Sequence, residues 1–241
     1  MHPLKGIALK ICSVITFITM ASLIKATAQH VPAGQAVFFR SVFALPVILA
    51  WLMMRGDLRT GLKAASPMGH FWRGFVGTAA MGLGFAGLGL LPLPEVTAIG
   101  YAAPLMTVIL AAMFLGEQVR LFRLAAVALG MLGVLIVLGP RLSAFSNDTV
   151  EKTAALGAML VLMSALCAAL AQIYIRKLVA TEQTSAIVFY FSVTSAFLSL
   201  LTLPFGWVVP TGQEAALLVL AGLLIMMVLL LQRTDGLANG L

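Results

Sequence analysis

The chain has 241 residues, of which 61% are hydrophobic and only 10% charged, and its mean hydropathy is +1.08. A soluble domain carries roughly a quarter charged residues, so this chain cannot cover itself with a water-compatible surface. The formal net charge of +7 does not point to nucleic acid, because no basic run is dense enough for a polyanion.

The apolar residues come in blocks near 20 residues, the length of a helix that crosses a bilayer. They do not alternate every second residue as the strands of a membrane barrel do. The expected fold is all-α and polytopic, with about eight transmembrane helices: Gly6–Thr27, Gln35–Met54, Phe71–Leu91, Pro94–Leu115, Leu121–Gly139, Ala155–Ile175, Ser185–Leu203 and Gln213–Leu231.

The first span opens like a secretory leader, with Lys5 and Lys10, an apolar run and the small residues Ala26-Thr27-Ala28. The internal repeat described below marks it as part of the fold. The second span holds Arg40, six residues in and about 8 Å below the span's outer boundary. An isolated cation at the bilayer centre costs roughly 2.5–3.5 kcal/mol, less where the side chain snorkels outward. The third span is rich in glycine between Gly74 and Gly89, which permits close helix packing. In the fourth, Pro104 removes a backbone hydrogen bond and crowds the carbonyl of Gly100. Such a break is tolerated in lipid only where neighbouring helices or a wet cavity satisfy the freed groups. Pro104 reads as a packing kink or as a bend lining the substrate path. Tyr101 lies one turn before it. Glu95 complements the dipole at the start of this helix, and Glu117, near Arg120 and Arg123, anchors its end. Ala126 and Gly130 in the fifth span have small-xxx-small spacing. Gln172 and Tyr174 in the sixth span, and Tyr190 in the seventh, are further polar groups placed to face a cavity; Tyr174 also suits an interfacial belt.

With the N-terminus in the cytoplasm, eleven basic residues face inward: Lys5, Lys10, Arg55, Arg59, Lys63, Arg73, Arg120, Arg123, Arg176, Lys177 and Arg233. Only Lys25, Arg141 and Lys152 face outward, a clear positive-inside bias. All eight acidic residues lie at span ends or in loops, so no carboxylate sits at mid-membrane to carry a proton. His2, His30 and His70 are scattered, and Cys12 and Cys167 lack C-x-x-C spacing. No catalytic motif, metal site or cofactor motif is readable, and the chain does not read as an enzyme.

Sliding the chain on itself by 151 residues lays Cys12–Val42 over Met163–Val193. Ser13 then meets Ser164, Lys25 meets Arg176, and VFFRSV meets VFYFSV, so that Arg40 falls on Phe191. Five spans separate the copies, and an odd number inverts the second relative to the first. Inverted repeats are a transporter signature.

The VFFR cluster, the run GLLPLPEVTAIGYAAPLMTVILAAMFLGE and the closing RLAAVALGMLGVLIVLG resemble the EamA-type drug/metabolite transporters. The likeness covers Lys5 to about Gly139 well and Ala155 to Val209 more loosely. It implies ten helices in two inverted five-helix repeats, with a proline and a terminal LGE in the fourth. Residues 5–139 would form the first repeat, 140–154 a polar linker and 155–241 the second. By the 151-residue offset, the second copy of EVTAIGYAAPL would begin near position 246, so the second repeat is expected to be incomplete. The resemblance also implies a secondary transporter of the inner or plasma membrane that moves a small organic metabolite by alternating access. Amino acids, vitamins such as riboflavin, S-adenosylmethionine and drugs are its substrate classes. It gives Arg40 a binding or gating role, because the family often has arginine at this place. Arg40, Tyr101, Pro104, Gln172 and Tyr190 are the candidate site residues. A shortened, inactive remnant and a channel are the alternative readings, and homodimerisation would cover the missing helices.

Overall fold

The computed structural model describes residues 3–143 and 149–224, and a helix forms at each of the eight apolar stretches. In chain order these are α1 (Pro3–Thr27), α2 (Ala33–Met54), the single turn α3 (Leu58–Gly61), α4 (Pro67–Leu90), α5 (Leu93–Gly100), α6 (Ala102–Leu115), α7 (Leu121–Ser143), α8 (Thr149–Val179), α9 (Thr184–Leu200) and α10 (Gly212–Leu224). No strand occurs among the described residues. The rest of the eighth stretch, to Leu231, and the charges Arg233 and Asp235 lie outside them. Ala33–Met54, Leu93–Leu115, Leu121–Gly139 and Lys152–Val179 are each long and apolar enough to cross a membrane. This is an all-α polytopic membrane-type fold.

Local chemistry sets the helix ends. Ser66 accepts a hydrogen bond from the Gly69 N–H at 3.3 Å, and Pro67 occupies the first helical position of α4. That cap starts the helix four residues before Phe71. Pro104 breaks the fourth span as expected, between α5 and α6. Its missing N–H leaves the Gly100 carbonyl without a helical donor. The chain therefore ends one helix at Gly100 and restarts at Ala102, where a first-turn proline has no hydrogen bond to lose. Gly116, with φ +66°, takes the left-handed conformation that ends α6.

α4 sits at the centre of the bundle, packed on α8, α9 and α2. Its buried stripe runs His70, Gly74, Gly77, Ala80 with helical spacing, and small residues let neighbouring backbones approach. A Cβ at Gly74 would lie 2.6 Å from Thr194 Cγ2 of α9, and one at Gly87 would overlap Val161 of α8. Facing helices bury regular stripes of their own: Val37, Ser41, Ala44 and Ile48 on α2, and the small Ser192, Ser195 and Ser199 on α9. Thr78 and Ser195 share a 2.7 Å hydrogen bond, and Ser164 Oγ donates to the Ala80 carbonyl at 2.6 Å. α1 and α10 close the opposite flank, with Met20, Ile24, Val37, Phe85 and Leu218 in one apolar cluster. On α7, Leu121, Phe122 and Ile136 are largely exposed, as a lipid-facing surface requires.

Two polar clasps join the N-terminal and C-terminal helices. At one end of the bundle, Gln35 of α2 donates to the Val208 carbonyl at 2.8 Å and accepts from its N–H at 3.1 Å. At the other, Ser185 of α9 donates to the Gly61 carbonyl at 2.9 Å. Glu117, expected beside Arg120 and Arg123, instead pairs with Arg176 of α8 at 2.7 Å. Both groups are about half exposed, so the pair contributes roughly 0–1 kcal/mol.

Candidate functional site

The bundle interior holds two arginines, and the second is one that loop-charge counting had assigned to the cytoplasmic face. Arg40 of α2 directs Nε to Met20 Sδ of α1 at 3.4 Å and Nη1 to Met81 Sδ of α4. Thioether sulfur is a weak acceptor, a poor match for a guanidinium. Arg73 lies in the second turn of α4, with its guanidinium carbon 4.1 Å from the centre of the Phe191 ring of α9. Its Nε and Nη1 are buried without a hydrogen-bond partner. Among the described residues, no carboxylate is within ion-pair distance of either arginine.

The direction of Arg73 decides how it should be read. A snorkelling arginine this close to the start of α4 would turn back towards that end. Arg73 reaches the other way, along its own helix, so that a Cβ at Gly77 would overlap Nη1. Gly77 lies ten residues into α4, about 15 Å from its start and so near mid-bilayer. Arg40 also reaches inward, to Met81. The two guanidinium groups therefore touch α4 one helical turn apart, about 6 Å along its axis. Two like charges brought against one stretch of helix away from water repel each other. Phe191, the repeat mate of Arg40, offsets part of this through its ring face.

A cavity of about 210 Å³ opens one turn from this pair, between α1, α2 and α4. Ile24, Ala28, Ala33, Ala36, Phe85 and Gly89 line it. Ala36 is one turn from Arg40 and Phe85 one turn from Met81. Lys25, next to Ile24 in α1, donates to the Leu91 carbonyl at 2.8 Å and to the Leu88 carbonyl, which satisfies the C-terminal end of α4.

The other candidates lie apart from Arg40. Tyr101 is 70% exposed at the α5–α6 break, and Pro104 is exposed beside it. Gln172 is exposed on α8. Tyr190 belongs to a second cluster, at the end carrying the α2–α4 and α8–α9 loops, where its hydroxyl donates to the Leu62 carbonyl at 3.0 Å and its ring lies 4.8 Å from His70. Glu182 is buried there, accepting from the Ala65 and Ser66 N–H groups at 2.8 and 2.7 Å, with His70 Nε2 at 3.3 Å. At the opposite end His30 Nδ1 lies 3.0 Å from Glu214, an exposed pair.

Sequence reasoning missed Arg73 and the Glu182–His70 pair. The signal for both was Ser66-Pro67, a cap followed by a first-turn proline. Reading it as the helix start moves His70 and Arg73 from a boundary into the helix.

A helical bundle with unmatched charge inside and apolar residues outside defines a polytopic membrane protein with an internal polar site. The sequence profile of the EamA-like transporter family matches residues 4–139, and the chain belongs to that family. It is 31% identical over 221 residues to the pseudopaline exporter CntI of Pseudomonas aeruginosa, covering 90% of this chain and 73% of that protein. It is 26% identical over 219 residues to an S-adenosylmethionine uptake transporter of Rickettsia prowazekii, covering 91% and 71%. A riboflavin transporter of Rhizobium johnstonii is 29% identical over 223 residues, covering 92% and 68%. A solved crystal structure superposes with a TM-score of 0.61 at 22% identity, over 92% of this chain and 77% of the other, a likeness of fold. At the level of the family the protein is a small-metabolite transporter of multi-pass membrane type.

Proposed function

We propose that the chain is a secondary transporter that carries a small organic metabolite across the inner or plasma membrane by alternating access, with its N-terminus in the cytoplasm. Residues 5–139 and the region from 155 act as inverted halves, and Arg40 contacts or gates the substrate. The observation that carries this reading is the inward-turned arginine pair, because charge held at mid-bilayer without a carboxylate fits a wet, ligand-accessible interior. The clasps support the two-half arrangement. Gly34 and Ser185 are mates under the 151-residue offset, and each lies in the first turn of its helix against a connection of the other half, Gly34 on Thr202 after α9 and Ser185 on Gly61 of the α3 turn. Phe43 beside Gly222 and its mate Thr194 beside Gly74 repeat the same crossing.

The test is flux into liposomes containing the purified chain, across amino acids, S-adenosylmethionine and riboflavin. Saturable uptake of a substrate is expected, lost in Arg40→Ala at unchanged membrane abundance and partly recovered in Arg40→Lys, which lacks the planar guanidinium fork. Saturable flux unaffected by Arg40→Ala would leave snorkelling as the sufficient account of Arg40. No saturable flux of any kind would argue against transport. For the orientation, a reporter fused after Arg59 should read cytoplasmic and one after Pro210 periplasmic; the reverse at both sites overturns it.

A further inference from the structure

We infer that the Arg40–Arg73 pair is an anion-binding subsite, and that the transported molecule carries a carboxylate on an apolar body. This deepens the transport reading and rests on it. Arg73 holds two buried donors, Nε and Nη1, without acceptors, and Arg40 directs Nε and Nη1 at the sulfurs of Met20 and Met81, which are weak acceptors. A guanidinium presents its N–H groups as a flat fork that matches a carboxylate in bidentate fashion. Two guanidinium groups that touch α4 at positions one helical turn apart can share one carboxylate between them. The site is built for this. Gly77 leaves the groove in which the Arg73 side chain lies, and a Cβ there would also come within 2.9 Å of Phe191 Cε2. Phe191 holds one face of the guanidinium and leaves its edge free to donate. Met20, Met81 and Phe191 flank the pair, and the cavity of about 210 Å³, lined by apolar residues, begins one turn away, placed to take an aliphatic or aromatic body. That volume suits a body of one or two rings.

Two sources of negative charge fit such a pair: a soluble organic carboxylate and the phosphodiester of an anionic lipid. The cavity, walled by three helices rather than by one outer face, favours the first.

The experiment is calorimetric titration of the full chain in phosphatidylcholine nanodiscs. The probes are acetate, phenylacetate and indole-3-acetate, with the matched uncharged amides. Carboxylates are expected to bind at least tenfold more tightly than their amides, and the two with rings more tightly than acetate. Arg73→Gln should erase the acid-over-amide preference. Gly77→Ala should reduce it tenfold, because the added Cβ displaces the Arg73 guanidinium and crowds the Phe191 ring, in protein whose folding is verified by its melting curve. Equal binding of acids and amides, no binding of any carboxylate up to tens of millimolar, or an undiminished preference in folded Arg73→Gln overturns the proposal. So does displacement of carboxylate by phosphatidylglycerol added to the nanodiscs, which assigns the pair to lipid. Carboxylate selectivity without flux in liposomes would leave the subsite standing and remove the transport reading. Flux of uncharged compounds that ignores Arg73→Gln would do the opposite.

Discussion

At the scale of the residue, the most constrained ionisable group outside the spans is Glu182. Its burial pushes the carboxyl pKa up, but the N–H donors of Ser66 and Ala65, together with His70, outweigh this and hold it below its ordinary value. A carboxyl whose folded pKa is depressed releases its proton more readily in the folded state. Its contribution to stability is fully present above the ordinary carboxyl value near 4.3, and is lost as the pH falls through the folded pKa. Hydrogen bonds to a charged acceptor are worth roughly 1.5–3 kcal/mol each. Glu182→Gln should therefore lower the melting temperature at pH 7 by several degrees and flatten the wild type's fall between pH 5 and 3. Melting curves in detergent across that range are the check. A variant whose acid limb matches wild type would show that other carboxyls dominate there. Glu214 is also held below its ordinary value, first by the Thr211 N–H and then by His30, but at the surface.

Among the elements, α4 carries the tightest packing, and its glycines are not equivalent. Gly87 meets Val161, a buried β-branched side chain of α8, with the Gly157 carbonyl 3.4 Å from a built Cβ. Gly82 meets nothing within 4 Å. Overpacking of a well-filled contact costs about 1–3 kcal/mol, whereas glycine in an unhindered helix is roughly 0.5–1 kcal/mol less stable than alanine. Gly87→Ala should melt several degrees below wild type and Gly82→Ala at or slightly above it, measured in one detergent; the reverse order would mean that the α4–α8 contact is looser than described. Much of this level was legible in the sequence. Apolar blocks fixed where helices form and Pro104 fixed the α5–α6 break; of the small-residue pair in the fifth span, Gly130 packs against Leu105 of α6 while Ala126 is exposed. Arg73 was not legible in the same way. Its inward course depends on the groove at Gly77 and on Phe191, supplied by a helix far along the chain. Glu182 does lie in a loop, as its position implied, but only the fold shows that this loop is buried against the start of α4.

For the whole molecule, alternating access requires that contacts between the halves at one end open while those at the other hold. Each end has a hydrogen-bonded clasp and a His–Glu pair. The acid comes from the loop and the histidine from the helix at one end, Glu182 with His70, and the roles are exchanged at the other, His30 with Glu214. The clasp positions offer a test of motion. A Cβ at Gly34 would lie 2.7 Å from Thr202 Cβ, and one at Gly61 would lie 3.4 Å from Ser185 Oγ. The first pair is closer than the roughly 3.5–4.5 Å Cβ separation of a disulfide and must give by about 1 Å, while the second brings the partner's γ-atom into contact range, so a cysteine pair at either end should cross-link on oxidation. In a background with Cys12 and Cys167 replaced, oxidised Gly34→Cys/Thr202→Cys should stop net flux, as should oxidised Gly61→Cys/Ser185→Cys, and reductant should restore each. A pair at one end must be broken in one half of the cycle, so either bond alone suffices to arrest it. Carboxylate binding in detergent should survive at least one of the two bonds, because a single access state still reaches the arginines. Undiminished flux in a fully cross-linked protein, with the bond verified by mass, would show that the halves do not part at that end, and rocking between them would have to be abandoned as the mechanism.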